Sequence, residues 1–227
     1  MVSAVYWSIG DRENNEDSLS LQEHYYRGHY VTLALVADGI GSLEEGETAS
    51  RMVALEWTHW FEKNYKRIAL QGLHNFEIRM QLRKRMREIE RKLKSYARTK
   101  RITMGTTCSM VLIRDRQVLT LQVGDSEIRM ICRGRTKRIS GLHKDEQGRL
   151  TECVGGRKLC QPTVRFFFRP PGHGILVCSD GFAVGLPGKE EGRIAPGTDK
   201  ERWLQTIGRR SSLVTGDNRS AILLMDR

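Results

Sequence analysis

The sequence has no apolar run long enough to cross a bilayer; the longest, such as Val31 to Ala37, are strand-sized. It has no C-x-x-C pair. Its cysteines (Cys108, Cys132, Cys153, Cys160 and Cys178) are odd in number, so free thiols in a reducing cytoplasm are expected. Met1-Val2-Ser3 leads straight into a Tyr/Trp segment, with neither a basic n-region nor a long apolar h-region, and no secretory signal is expected. No His/Cys cluster points to zinc. Internal repeats and a clear linker are also missing, so the 227 residues read as one domain, 1–227. What is there is ordinary for a globular chain: 39% hydrophobic and 29% charged residues, too apolar for general disorder.

One charge sign is in excess. The chain carries 38 Lys+Arg against 27 Asp+Glu, a formal net charge of +11, which invites a nucleic-acid reading. Its location argues otherwise. Residues 79–101 hold 11 of the basic residues against two acids, Glu88 and Glu90, and the rest of the chain is close to balanced. Apart from Tyr96, which belongs to an apolar stripe, no aromatic residues interleave these charges, so no sequence-specific nucleic-acid binding is expected. The basic segment has three readings: a solvated helix face, a docking surface for an acidic or phosphorylated partner, or contact with nucleic-acid phosphates or an anionic membrane.

Nine segments rich in Val, Ile, Leu, Thr and aromatics read as strands: 2–9, 18–25, 30–36, 107–113, 118–123, 128–132, 164–168, 175–178 and 221–225. Two long helices interrupt them. The first is expected after a capping box, Ser42-x-x-Glu45, with Ala49, Met52, Val53, Trp57, Trp60 and Phe61 at helical spacing. The second is expected from about Leu73 to Ala97, with a buried stripe of Ile78, Leu82, Met86, Ile89, Leu93 and Tyr96. Its Glu88→Lys92 and Glu90→Lys94 spacings suit i,i+4 pairing. A shorter helix is expected from Thr198-x-x-Glu201, burying Trp203, Leu204 and Ile207, after a loop over 186–197. Strands, two adjacent helices, then strands again make the fold α+β.

The acids at strand ends carry the chemistry. Glu16-Asp17 closes the run Gly10-Asp11-Arg12-Glu13-Asn14-Asn15 before a strand; Asp38-Gly39 ends the apolar run 33–37. Gly124-Asp125-Ser126 and Asp180-Gly181 follow two more strands, and Gly216-Asp217-Asn218 precedes the last. Any one alone is more often a turn than a ligand. Gathered at one end of a sheet, they would repel one another unless cations sat among them. All-oxygen donors suit Mg²⁺ or Mn²⁺.

In order and spacing, these segments resemble the metal-dependent protein phosphatases, the PPM or type 2C Ser/Thr family, over nearly the whole chain. The motif Gly-x-Arg-x-x-Asn-Glu-Asp is met by Gly10, Arg12, Asn15, Glu16 and Asp17. Asp38-Gly39, Gly105-Thr106-Thr107, Gly124-Asp125-Ser126, Ser179-Asp180-Gly181 and Asp217-Asn218-x-Ser220 follow. The resemblance implies an α-β-β-α sandwich of two antiparallel sheets, binding metals at one end and flanked by helix pairs. It also implies two Mn²⁺ or Mg²⁺: Asp38 bridging both, the Gly39 carbonyl on the first, and Asp180 and Asp217 on the second. Glu16 and Asp17 would orient metal-bound waters, Arg12 would bind the phosphate, and Asp125 would hold a weak third metal. Two such ions acidify a shared water and stabilise the attacking and leaving oxygens, and a guanidinium fork matches phosphate.

The chain departs from the family pattern in places. Ile40 stands where eukaryotic members carry a histidine, which marks a bacterial-type enzyme in which water protonates the leaving group. Val184 replaces an acid often used for the third metal, and Glu127 replaces the usual arginine. The flap is reduced to a short polar turn between Leu142-His143-Lys144-Asp145 and Leu150-Thr151, with His143 read as a surface-loop residue. The implied function is a cytoplasmic phosphoserine/phosphothreonine phosphatase opposing a eukaryotic-like Ser/Thr kinase and acting on its targets. Two rivals are a partner-switching phosphatase for an anti-sigma-factor antagonist and a phosphatase-fold docking protein that recruits acidic partners through the basic helix.

Overall fold

The computed structural model describes residues 2–132, 135–186 and 199–226. All nine expected strands are present, with ends within two residues of expectation. The first sheet joins β1 (Val2–Ser8), β10 (Arg219–Met225), β9 (Gly174–Cys178), β6 (Glu127–Cys132) and β7 (Arg135–Arg138) in that order. The second joins β2 (Asp17–Tyr26), β3 (His29–Asp38), β4 (Cys108–Arg114), β5 (Gln117–Val123) and β8 (Thr163–Phe168). Every pairing is antiparallel. Strand β7 was not expected. It is a charged edge, Arg-Thr-Lys-Arg, with no apolar alternation to announce it, and such residues protect an open edge from mispairing.

Period-two alternation builds three apolar layers. In β3, Val31, Leu33, Leu35 and Ala37 face helices α1 (Gly46–Gln71) and α2 (Phe76–Lys100). Its Ala34 and Val36 face inward and meet Ile175, Val177 and Ile222 of the first sheet. On the far side, α4 (Lys200–Ser212) and the one-turn α3 (Asp180–Ala183) pack Trp203, Leu204, Ile207 and Phe182 against Leu176 and Leu223. The fold is an α-β-β-α sandwich. Among the described residues no helix is long and apolar enough to cross a membrane.

The helix ends differ from expectation for local reasons. The Ser42 capping box does not form; α1 starts at Gly46, after Glu45, without a side-chain cap. The acids nearby are engaged elsewhere: Glu44 accepts from Thr103 N at 2.7 Å and Glu45 accepts from the Thr48 hydroxyl. Helix α2 starts three residues late because Leu73 N donates to Gln117 Oε1 (2.6 Å), and Asn75 then caps the helix by accepting from Glu77 N. Asp199 caps α4, accepting from Glu201 N and Arg202 N. Thr198 and loop positions 187–197 lie outside the described residues.

Pairing on α2 is also redistributed. Glu90 and Lys94 pair at 3.1 Å, as the spacing implied. Lys92 instead reaches across to Glu56 of α1 (2.8 Å), and Glu88 pairs with Arg85. Arg85 also binds Glu56 at 2.5 Å, so part of the basic excess ties the two helices together.

Candidate active site

The acidic segments converge because their strand ends share one end of the sandwich. Register sets Asp17 directly opposite Asp38 on neighbouring strands, a like-charge cross-strand pair that is unfavourable without compensation. Asp125 follows β5, Asp180 opens α3 after β9, and Asp217 precedes β10. Glu16, Asp38, Gly39, Asp125, Asp180 and Asp217 all line one open pocket of about 520 Å³, with Arg12 at its wall. Asp17 lies just beneath it, buried.

Close backbone approach draws the loops together. A side-chain carbon on Gly10 (φ +68°) would sit 2.3 Å from the Asp217 carbonyl, and one on Gly39 would sit 2.5 Å from the Gly46 carbonyl. Gly39 therefore lets the start of α1 abut the acidic strand end. Asn218 clamps the first motif from the other side. Its Oδ1 accepts from Glu16 N (2.9 Å), and its Nδ2 donates to Ile9 O (2.7 Å) and Asn14 O (3.1 Å). Asp38 is held through its backbone: its N–H donates to Thr107 Oγ1 (2.9 Å), and Thr106 Oγ1 donates to its carbonyl (2.8 Å).

The electrostatics call for cations. Burial pushes the Asp17 carboxyl up to about 7; Ser220 and Ser179 offset this in part, and Asp180 and Asp217 add to it. The Ser220 and Ser179 hydroxyls lie nearby but outside hydrogen-bond geometry, so neither Asp17 oxygen has a close partner, a costly state for a buried carboxylate. Asp38 is held well above the carboxylate range by burial and then by Asp17, Asp180, Asp125 and Asp217. Burial raises Glu16 as well, against the attraction of Arg12.

Among the described residues no three acidic, His or Cys side chains are already drawn in around one ion. Two cationic side chains stand among the acids. Arg12 Nε stands 3.1 Å from Asp217 Oδ1, and Lys144 Nζ stands 2.7 Å from Asp125 Oδ2 and 3.4 Å from Asp180 Oδ2. Attraction to Asp125 and Asp180 outweighs partial burial and keeps the Lys144 ammonium charged above the usual lysine range. A hydrated Mn²⁺ or Mg²⁺ suits such a spread, since these ions keep several waters and need few protein oxygens each. The orphaned Asp17 and the repelling Asp17–Asp38 pair fit that donor set.

The sequence reading missed three contributors. Lys144 carries no motif signal, and its role arises only from a turn that folds it over the acids. Asn218 and Thr107 stood inside recognised motifs, but their roles act through backbone groups distant in sequence. The fold also places two residues that stand next to the motifs. Glu127 does not reach the pocket; it pairs with Arg129 and with Arg138 (3.3 Å). His143 lies on a loop, as expected, but is half-buried and tied down there: its Nδ1 accepts from Gly124 N (3.1 Å), and its backbone N–H donates to Gly124 O. Cys153 and Cys160 are unpaired, as are the other three cysteines.

Clustered carboxylates beside an arginine, in an open polar pocket at the end of a two-sheet sandwich, suit metal-assisted hydrolysis of a phosphate ester. The protein phosphatase 2C family model matches residues 8–221, and the chain belongs to that family. Among solved structures it is similar to the serine/threonine phosphatase Stp1 from Staphylococcus aureus, with a TM-score of 0.84 and 22% identity over 99% of this chain and 94% of that one. The S. agalactiae serine/threonine phosphatase matches with a TM-score of 0.81 and 21% identity, covering 99% of each chain. The catalytic domain of the phosphatase PstP, in complex with two manganese ions, matches with a TM-score of 0.71 and 20% identity over 99% and 97% of the two chains. No curated protein matches the sequence significantly.

Proposed function

We propose that this chain is a Mn²⁺- or Mg²⁺-dependent phosphatase that removes phosphate from phosphoserine and phosphothreonine in proteins, opposing a Ser/Thr kinase. The observation that carries the proposal is the convergence of the motif acids Glu16, Asp38, Asp125, Asp180 and Asp217 with Arg12 on one pocket, with Asp17 buried and unpartnered beneath it. Asp38 and the Gly39 carbonyl would hold a first ion, Asp38, Asp180 and Asp217 a second, with Glu16 and Asp17 orienting the waters around them. Bound divalent ions supply an acidified water as nucleophile and neutralise charge on the attacking and leaving oxygens. PstP, which shares the fold, is described with two manganese ions.

Arg12 is suited to the phosphate. Its side chain is 57% exposed at the pocket wall, free to turn its fork from Asp217 to a substrate oxygen. Ile40 also lines the pocket and carries no transferable proton, so the leaving serine oxygen takes its proton from water. Five unpaired thiols support a reducing, cytoplasmic setting. The exposed face of α2, with Lys84, Arg87 and Arg91, is the surface proposed for an acidic or phosphorylated partner.

The test is hydrolysis of a chromogenic aryl phosphate. Activity should require Mn²⁺ and vanish with EDTA, and Asp38→Asn or Asp180→Asn should each lower turnover by about 10²-fold or more, as for loss of a preorganised electrostatic group. Ordinary activity in either variant sinks the assigned site.

A further inference from the structure

Asp125 and Asp180 come from different sheets, yet one side chain touches both. Lys144 Nζ lies 2.7 Å from Asp125 Oδ2 and 3.4 Å from Asp180 Oδ2. The Asp125 side chain is only 11% exposed, so the ammonium faces a carboxylate with little access to bulk water.

The placement is built into the backbone. His143 is anchored to Gly124, the residue before Asp125, by bonds in both directions: its N–H donates to Gly124 O (3.2 Å), and its Nδ1 accepts from Gly124 N (3.1 Å). Thr151 N donates to His143 O (2.7 Å), and Lys144 bridges Leu150, so the turn closes tightly. Asp145 stiffens it by accepting from Gln147 N and Arg149 N. A turn this short and this well tied cannot carry Lys144 far from Asp125.

Among the described residues, the acids already read as ligands of the two-metal centre line the same pocket as Asp125, and two further positions near it in the motifs add no free carboxylate. Glu127 is committed to Arg129 and Arg138, and Val184, at the end of α3, has no oxygen to offer. Asp180, one of those ligands, shares the same ammonium.

We propose that Lys144 is a resident, tethered cation at Asp125: it stands where a third metal ion would otherwise bind and limits this chain to two ions. A divalent ion at Asp125 would meet a fixed positive charge and compete with it for the same oxygens. The ammonium gives Asp125 its counter-charge at every metal concentration and holds Asp180 at the edge of the two-metal centre. This inference rests on the two-metal reading above.

The experiment counts Mn²⁺ bound to the full chain, by equilibrium dialysis with elemental analysis and by titration calorimetry. Wild type should bind two ions per chain at saturation. Lys144→Ala, and Lys144→Gln, which keeps length without charge, should each gain a third, weaker site that a second substitution, Asp125→Ala, removes. Lys144→Arg should stay at two. The inference is overturned if wild type already binds a third ion that Asp125→Ala abolishes, or if both neutral variants stay at two. Wild type binding no Mn²⁺ at all would instead overturn the two-metal reading, and this inference with it.

Discussion

Asp17 is the residue most at odds with its surroundings, and its state predicts how the metal-free protein responds to pH. Its carboxyl is pushed up to about 7 in the folded chain, from an ordinary value of 3.8. Between those values the native state keeps a proton that the unfolded state has lost. Stability therefore falls as pH rises through that interval and loses nothing more from this group above it. Thermal unfolding of EDTA-treated protein should show this slope, Asp17→Asn should flatten it, and added Mn²⁺ should stabilise more at pH 8 than at pH 5. A slope unchanged in Asp17→Asn would contradict the assignment. Asn218 acts differently, by joining the two ends of the chain at the site. Asn218→Ala removes three hydrogen bonds to residues 9–16 and should cost about 1–3 kcal/mol, read as a lowered melting temperature.

The helices show how an amphipathic pattern can be right while its ends and charges are not. Ile78, Leu82, Met86, Ile89 and Leu93 of α2 are all buried, as their spacing requires. Glu90, four residues before Lys94 on a strongly charged helix, is expected from its spacing only to pair with that lysine. It is fully buried, with Cys160 N donating to it at 3.1 Å and Lys94 beside it. It therefore pins the coil after the shortened flap to the helix layer. Glu90→Ala leaves the Cys160 N–H without its acceptor and Lys94 with only the Lys158 carbonyl, and should destabilise by about 2–3 kcal/mol, whereas Glu88→Ala, nearer the surface, should stay within about 0.5 kcal/mol. Chemical denaturation of the two variants decides this. Equal losses would mean that burial of Glu90 contributes nothing.

Across the whole molecule, charge is sorted by function. The motif acids gather at one end of the sandwich, while the basic residues of α2 have different partners. Arg85 and Lys92 bind Glu56 and hold α1 to α2; Lys84, Arg87 and Arg91 remain exposed. Neutralising the exposed three should leave aryl phosphate turnover unchanged. It should raise KM for an acidic phosphoprotein several-fold and flatten its dependence on salt. Unchanged KM and salt dependence would reduce this face to solvated surface. Arg85→Ala is a different experiment, since it would strip a partner from Glu56 and loosen the helix pair.

Local pattern was enough for the nine strands, the three principal helices and the order of the acidic motifs. Strand alternation, helical spacing and Asp-Gly strand ends are short-range properties written into neighbouring residues. The motif order also carried the family, because six weak signals in register constrain one another. Tertiary structure alone decided which acids face a cation, which face an arginine and which are buried without a partner. Asp17 is unpartnered because register sets it across from Asp38, and Glu127 is removed from the pocket by Arg138, eleven residues away. Lys144 reaches Asp125 and Asp180 only because a closed turn returns it to Gly124. Electrostatic energy depends on distance through space and on exclusion of water, and the fold sets both.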